Sequence, residues 1–440
     1  MAHPKDRSGI SRRQFVRNTA VAAAGLGVAG AAAGCENTTT PIGAETAGGP
    51  TGAAAELVVP KPTGPAGLPL PRPDNSVTWA ITDDNKGIPE GRPVERGPLR
   101  IFNYADYIDP ATIKKFQGET GTKVQVATYN SADEAISKLA SEAVDFDLVM
   151  GLTGANVVDL IAQRLLMPFN HAYLPNLDNV WPELADPFYD RGGRYTIPYV
   201  VWMDGIGWRN DKLEEDIPAM DVPWDIFWEA EAYRGKVGIL DDRRDALSVP
   251  MQRDAMRTEV RPDLNTEDAD VIDKAQRDLA ALGPICNPKV TITGYQTLPE
   301  GKTVLHHSWS GDLLGAAFYY MPKGVPPSVL SFWGPEENGV VQNDFFCIGR
   351  TAKNPVLAHR FVNFLLDERN AYNNFINYTG YTPPQKNIDA EALIGRGLIP
   401  ETLHQAVVRP DQFAANQELL QLSVEGQRRW DEAWSQFKAG

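Results

Sequence analysis

From Pro98 onward, hydrophobic positions alternate between the period of a strand and the period of a helix. Leu99–Tyr104 reads as a strand. Asp109 and Pro110 then supply a helix N-cap and a first-turn proline, ahead of Ile113, Phe116 and a stop at Gly121. The run Thr122–Thr128 has period two, and Ser131 with Glu134 forms a capping box that opens a helix through Leu139. Phe146–Met150 is the next strand, followed by a helix from Asn156 to Gln163. Two later apolar runs, Thr303–Leu305 and Phe345–Ile348, also read as strands. Strands alternating with helices predict an α/β fold with a parallel sheet covered on both faces, and ligands at the carboxyl ends of its strands.

The first 97 residues lack this pattern. Ser11-Arg12-Arg13-Gln14-Phe15-Val16 precedes an Ala/Gly run from Ala20 to Gly34 and then Cys35. A twin arginine before such a run is similar to a Tat export signal, and Ala32-Ala33-Gly34-Cys35 resembles a bacterial lipobox, with Ala32 where a large aliphatic residue is usual. Residues 1–34 are therefore expected to be an export signal. Cys35 is the expected lipidation site, and the protein is expected outside the cytoplasm, anchored to a membrane. Residues 35–97 hold ten prolines and nine glycines and predict a tether, with an arm from Pro73 to Ile88 carrying Val77, Trp79 and Ile81.

Charge narrows the partners. The 440 residues carry a net charge of −15, and without residues 1–34 the remaining 37 basic and 56 acidic side chains leave −19. Nucleic acid is an unsuitable partner for such a chain, because phosphate binding needs basic fields. Beyond Cys35 only Cys286 and Cys347 remain, either bridged or as two buried thiols, and no Cys/His spacing suits a metal or another cofactor.

Candidate chemistry falls in turns after strands. Tyr104, Asp106 and Tyr107 follow the first strand; Asp242 and Asp245 lie three apart, on one face if a helix begins there; Trp309 stands near Asp312. Asp344 follows Gln342 just before an apolar strand, and Tyr381 lies in a Gly-Tyr-Thr-Pro-Pro turn. Carboxylates beside aromatic faces suit a cation carried on an apolar chain, while Asp242 and Asp245 could equally be the acid and base of a secreted hydrolase. Ordinary helix-capping acids would also explain that pair.

In order along the chain, Phe102–Tyr107 (Phe-Asn-Tyr-Ala-Asp-Tyr), Phe146–Val149 (Phe-Asp-Leu-Val), Tyr195–Tyr199 (Tyr-Thr-Ile-Pro-Tyr), Leu240–Asp245, Asn363–Leu366, Gly380–Pro384 and Phe437–Gly440 closely resemble the spermidine/putrescine-binding proteins of bacterial ABC importers. The resemblance implies a two-lobed periplasmic-binding-protein fold of type II. Each lobe would be a mostly parallel sheet flanked by helices, and crossing strands would join them. It implies one lobe from 98–203 plus 344–385 and another from 204–343 plus 386–440, closing on a polyamine. It further implies a protein without catalytic activity, a monomer that hands its ligand to permease subunits. Its site would comprise Tyr104 in place of the usual Trp, Tyr107, Asp242, Asp245, Trp309, Asp344 and Tyr381. Ala105 replaces a usual hydroxyl residue, Gln342 a second Trp, and the turn at Gly151–Asn156 is altered. The same fold with another small solute, or a sensor role, is the alternative.

Overall fold

The computed structural model describes residues 63–141 and 145–440. The expected signal, Cys35 and most of the expected tether lie outside the described residues. Within them, β1 (Leu99–Tyr104), β2 (Val124–Tyr129) and β3 (Leu148–Thr153) follow the predicted order. Asp109 caps the helix Pro110–Thr120 by accepting from Ala111 N, and Gly121 ends it in the left-handed conformation. Ser131 accepts from Glu134 N at 3.2 Å, but the Glu134 carboxylate reaches Asn130 N at 2.8 Å, one residue before the cap. β3 begins two residues later than its apolar run, because Asp147 turns its side chain to neighbouring backbone.

The remaining strands are β4 (Leu166–Met167), β5 (Ile197–Arg209), β6 (Val237–Ile239), β7 (Lys289–Val290), β8 (Leu305–Trp309), β9 (Leu330–Trp333), β10 (Val340–Gly349) and β11 (Gln417–Glu418). β1 is parallel to both β2 and β3, and β6 is parallel to β7 and β8. Two long strands run antiparallel through the middle. β10 pairs with β3, and also with the first half of β5, where Met203 lies opposite Val341 and Trp202 opposite Gln342. One residue later β5 changes partners: Asp204 lies opposite Trp309 of β8, and Ile206–Arg209 also pair with β9. The chain thus builds two parallel-strand arrays joined by antiparallel crossing strands, which is the two-lobed fold.

Gly205 permits the change of partners. A Cβ there would lie 2.2 Å from the Trp333 carbonyl oxygen and 2.3 Å from the Phe332 ring, so no side chain fits beside Asp204.

Separate hydrophobic clusters flank the sheet. One packs Ile206, Trp224, Leu247 and Trp430; another gathers Phe102, Tyr189 and Phe345 with Leu70, Val77 and Trp79 from the N-terminal segment. Trp79 is buried and donates to Tyr189 O at 2.8 Å, whereas Ile81 remains 44% exposed. Glu95 accepts from Val356 N and Leu357 N at the start of the helix Pro355–Leu365, serving that helix as a remote cap. Cys286 and Cys347 are free, buried thiols in different clusters.

Candidate functional site

The change of strand partners sets the geometry of the site. Side chains two apart on a strand share a face, as do residues directly opposite on paired strands. Trp202 and Asp204 therefore share a face of β5, with Trp309 of β8 beside Asp204 and Gln342 of β10 beside Trp202. The Trp202 and Trp309 rings lie 5.7 Å apart.

One pole of this surface is centred on Asp344. Tyr107 Oη donates to its Oδ2 at 2.5 Å and Trp202 Nε1 to its Oδ1 at 2.9 Å. Burial nevertheless pushes the Asp344 carboxyl up to about 6, with these two donors only partly opposing the shift. Tyr381 packs edge-on to Tyr107 at 4.9 Å and donates to Asp312 Oδ1 at 2.9 Å. Gly311, next to Asp312, makes room for the Tyr381 ring: a Cβ there would come within 2.4 Å of it. Tyr104 stands 5.9 Å from Tyr107, its phenol held neutral by burial and by the charges of Asp344 and Asp242.

The second pole is built on the helix Arg243–Thr258. Asp242 caps it, accepting from Arg244 N at 2.8 Å and Asp245 N at 3.3 Å. Asp245, one turn in, accepts from Trp309 Nε1 at 2.9 Å. Burial, with the nearby charges of Asp204 and Asp242, drives the Asp245 carboxyl well above the usual carboxylate range. Asp204 is shifted the same way, by burial first and Asp242 second. The neighbouring Arg244 does not pair with them: its guanidinium donates to Leu420 O, Leu264 O and Asn265 Oδ1 and stacks 4.5 Å over Trp430. Among the described residues, Asp204, Asp242, Asp245 and Asp344 form no ion pair with Lys or Arg; the His307 ring beside Asp204 is held neutral by burial, its pKa lowered to about 3.

Of the residues expected from sequence, Tyr104, Tyr107, Trp309, Asp344, Tyr381, Asp245 and Asp242 come together here, Asp242 serving also as a helix cap. Gln342 is buried, donates to Leu419 O at 3.0 Å, and leaves its Oε1 unpartnered beside Trp202. Asp106 lies in the same turn as Tyr104 and Tyr107. Its backbone adopts φ +57°, its side chain is exposed, and it accepts from Tyr378 Oη at 3.0 Å. Sequence reasoning missed Trp202 and Asp204. The available signal was a single acidic residue inside the otherwise apolar strand Ile197–Trp208. No group of three or more His, Cys, Asp or Glu among the described residues is arranged to hold a metal ion.

A model of the family described as bacterial extracellular solute-binding protein matches residues 111–396, well over half of the chain. The chain belongs to that family. It is 25% identical over 347 residues to the putrescine/cadaverine-binding protein of Pseudomonas aeruginosa, a match covering 77% of this chain and 93% of that one. It is 26% identical over 318 residues to the spermidine/putrescine-binding periplasmic protein of Escherichia coli, covering 72% and 84%. The same fold recurs in the spermidine/putrescine ABC transporter substrate-binding protein of Streptococcus pneumoniae (TM-score 0.62, 22% identity, 78% of this chain and 98% of that one). It recurs also in a Treponema pallidum lipoprotein (TM-score 0.64, 20% identity, 77% and 98%). This solute-binding protein therefore works outside the cytoplasm. The hydrolase reading of Asp242 and Asp245 is set aside, since the family binds solutes rather than transforming them.

Proposed function

We propose that this chain is the substrate-binding component of an ABC importer and that its ligand is a polyamine of the putrescine or spermidine class. One observation carries the reading: buried aspartates at two poles, with no Lys or Arg ion pair among the described residues and aromatic rings between them. Buried carboxylates are costly unless a cation compensates them, and tryptophan faces suit both ammonium groups and methylenes. Asp344 would take one ammonium group and the Asp242/Asp245 pole another, with Trp202 supplying the aromatic wall that Gln342 does not. The relatives' names, which refer to putrescine, cadaverine and spermidine, support the same ligand class.

The two lobes would be 98–203 plus 344–385 and 204–343 plus 386–440, a division supported by the change of β5 partners at Met203 and Asp204. Ligand contacts made from both lobes would favour closure. Cys35 would carry a lipid anchor holding a monomer near its permease subunits, which membrane fractionation of wild type against Cys35→Ala tests. The ligand assignment is tested by titration calorimetry with putrescine, cadaverine, spermidine and spermine, against uncharged 1,4-butanediol and an amino-acid panel. Saturable binding confined to the amines is expected. Binding of an amino acid with none of the amines would overturn the assignment.

A further inference from the structure

Asp204 has no role in the sequence-derived site, yet among the described residues it is, with Asp190 and Glu418, a carboxylate with a buried, unmatched oxygen. Its side chain has no solvent exposure, its Oδ2 lies 3.2 Å from His307 Nε2, and its Oδ1 accepts no hydrogen bond among the described residues. An acceptor left unmatched in the interior is unfavourable, and native folds rarely leave one without a reason. Its direction is fixed by the strand. Asp204 shares a face with Trp202 and lies opposite Trp309, and both of those indoles donate to site carboxylates. The Asp204 side chain is thus on the same face as Trp202 and Trp309, the two indoles that donate to the poles. Gly205, which can carry no side chain, immediately follows it.

The charged and titratable groups around Asp204 are few. Asp242 and Asp245 face it from the helix Arg243–Thr258, His307 from β8, and Asp344 lies along the crossing strands, while Arg244 is committed to Leu420, Leu264 and Asn265. His306 turns its Nδ1 to the His307 carbonyl and packs against Gly238. Two aspartates, Asp204 and Asp245, therefore stand within each other's field with no Lys or Arg ion pair among the described residues.

We infer that Asp204 is a further ligand-binding carboxylate, positioned by His307, and that Asp204 and Asp245 hold one proton between them which the ligand's ammonium group replaces. This rests on the polyamine reading above. The exchange balances: one ammonium cation enters, one proton leaves to solvent, and the ammonium N–H groups donate to the carboxylate oxygens that the proton had occupied. Burial and mutual repulsion act in the same sense, raising the affinity of both carboxyls for a proton.

The test is calorimetry of putrescine binding to the exported protein from pH 5.5 to 8 in buffers of different ionisation enthalpy, which counts protons. At pH 7–8, above the range in which Asp344 at about 6 would give up its own proton, wild type is expected to release about one proton per ligand, with affinity rising up to tenfold per pH unit until the pair is fully ionised. Asp204→Asn is expected to weaken binding at least tenfold and to lose most of the proton release. His307→Leu should move the midpoint of the pH profile upward, because a donor to the carboxylate is gone, whereas His307→Gln, which keeps an N–H donor, should leave it in place. Wild-type affinity and proton count in Asp204→Asn would overturn the assignment and leave the polyamine reading standing. Should that variant not fold, wild-type binding without proton release across this range overturns it alone. Absence of binding by any amine to wild type would reject the polyamine reading itself and this inference with it.

Discussion

Asp147 and Asp204 are both aspartates with no exposed side-chain surface, one just before β3 and the other within β5, and they are treated in opposite ways. Asp147 accepts from Arg100 N, Lys353 N, Asn354 N and Asn354 Nδ2, at 2.8–3.1 Å. It locks the β1–β3 edge to the loop before the helix Pro355–Leu365. Asp204, by contrast, has among the described residues one imidazole partner at 3.2 Å and an oxygen without a donor. Backbone N–H groups can satisfy a buried carboxylate permanently, and Asp147 shows that this chain does so where stability is at stake. The contrast sets Asp204 apart as a buried carboxylate whose oxygens the fold does not fully satisfy, which is what the proposed role in ligand binding requires.

The largest effect that follows is at Asp147. Asp147→Ala would remove the acceptor of the buried Asn354 N and of the partly buried Arg100 N and Lys353 N, so a loss of about 2–4 kcal/mol in unfolding free energy is expected by denaturant titration. A loss below about 1 kcal/mol would break the contrast from its structural side.

Asp344→Asn should behave in the reverse manner, weakening polyamine binding by about 1.5–3 kcal/mol while the empty protein stays equally stable or gains stability. The sign with pH follows from the raised carboxyl. A group whose ordinary value of 3.8 is moved to about 6 on folding favours the folded state below about pH 4, and that favour is lost as pH rises through about 6. The stability of Asp344→Asn relative to wild type should therefore improve between pH 4 and 7, on the order of 2–3 kcal/mol. A flat difference across that range would place the Asp344 carboxyl in a wetter setting than the geometry describes.

The smallest effect is expected at Asp106. Its side chain is exposed and accepts from Tyr378, so Asp106→Ala should change affinity by less than about 0.5 kcal/mol. A tenfold weakening would mark it as a ligand contact.

These residues also mark how far the chain could be read without a structure. The caps at Asp109 and Ser131 and the pole formed by Asp242 and Asp245 were legible because cap and turn chemistry is local, and the alternation of strand and helix gave the α/β class. Asp344 and Tyr381 were legible through resemblance to a family. Trp202 and Asp204 were not, since their partners Asp344 and His307 lie 142 and 103 residues away and only strand pairing brings them together. Asp106 follows the first strand as a ligand residue should, and its left-handed backbone turns it toward Tyr378. Buried tryptophan and aspartate within an apolar run look like core until the register of β5 with β8 and β10 is known.

Buried carboxylates without a Lys or Arg partner among the described residues are proposed to meet ammonium groups. A crystal structure of the complex with spermidine tests this most directly. One amine nitrogen is expected within hydrogen-bonding distance of Asp344, another within reach of Asp245 and Asp204, and the methylene chain against Trp202 and Trp309. Density for the ligand elsewhere, with a lysine, arginine or ordered metal ion satisfying these aspartates instead, would contradict it.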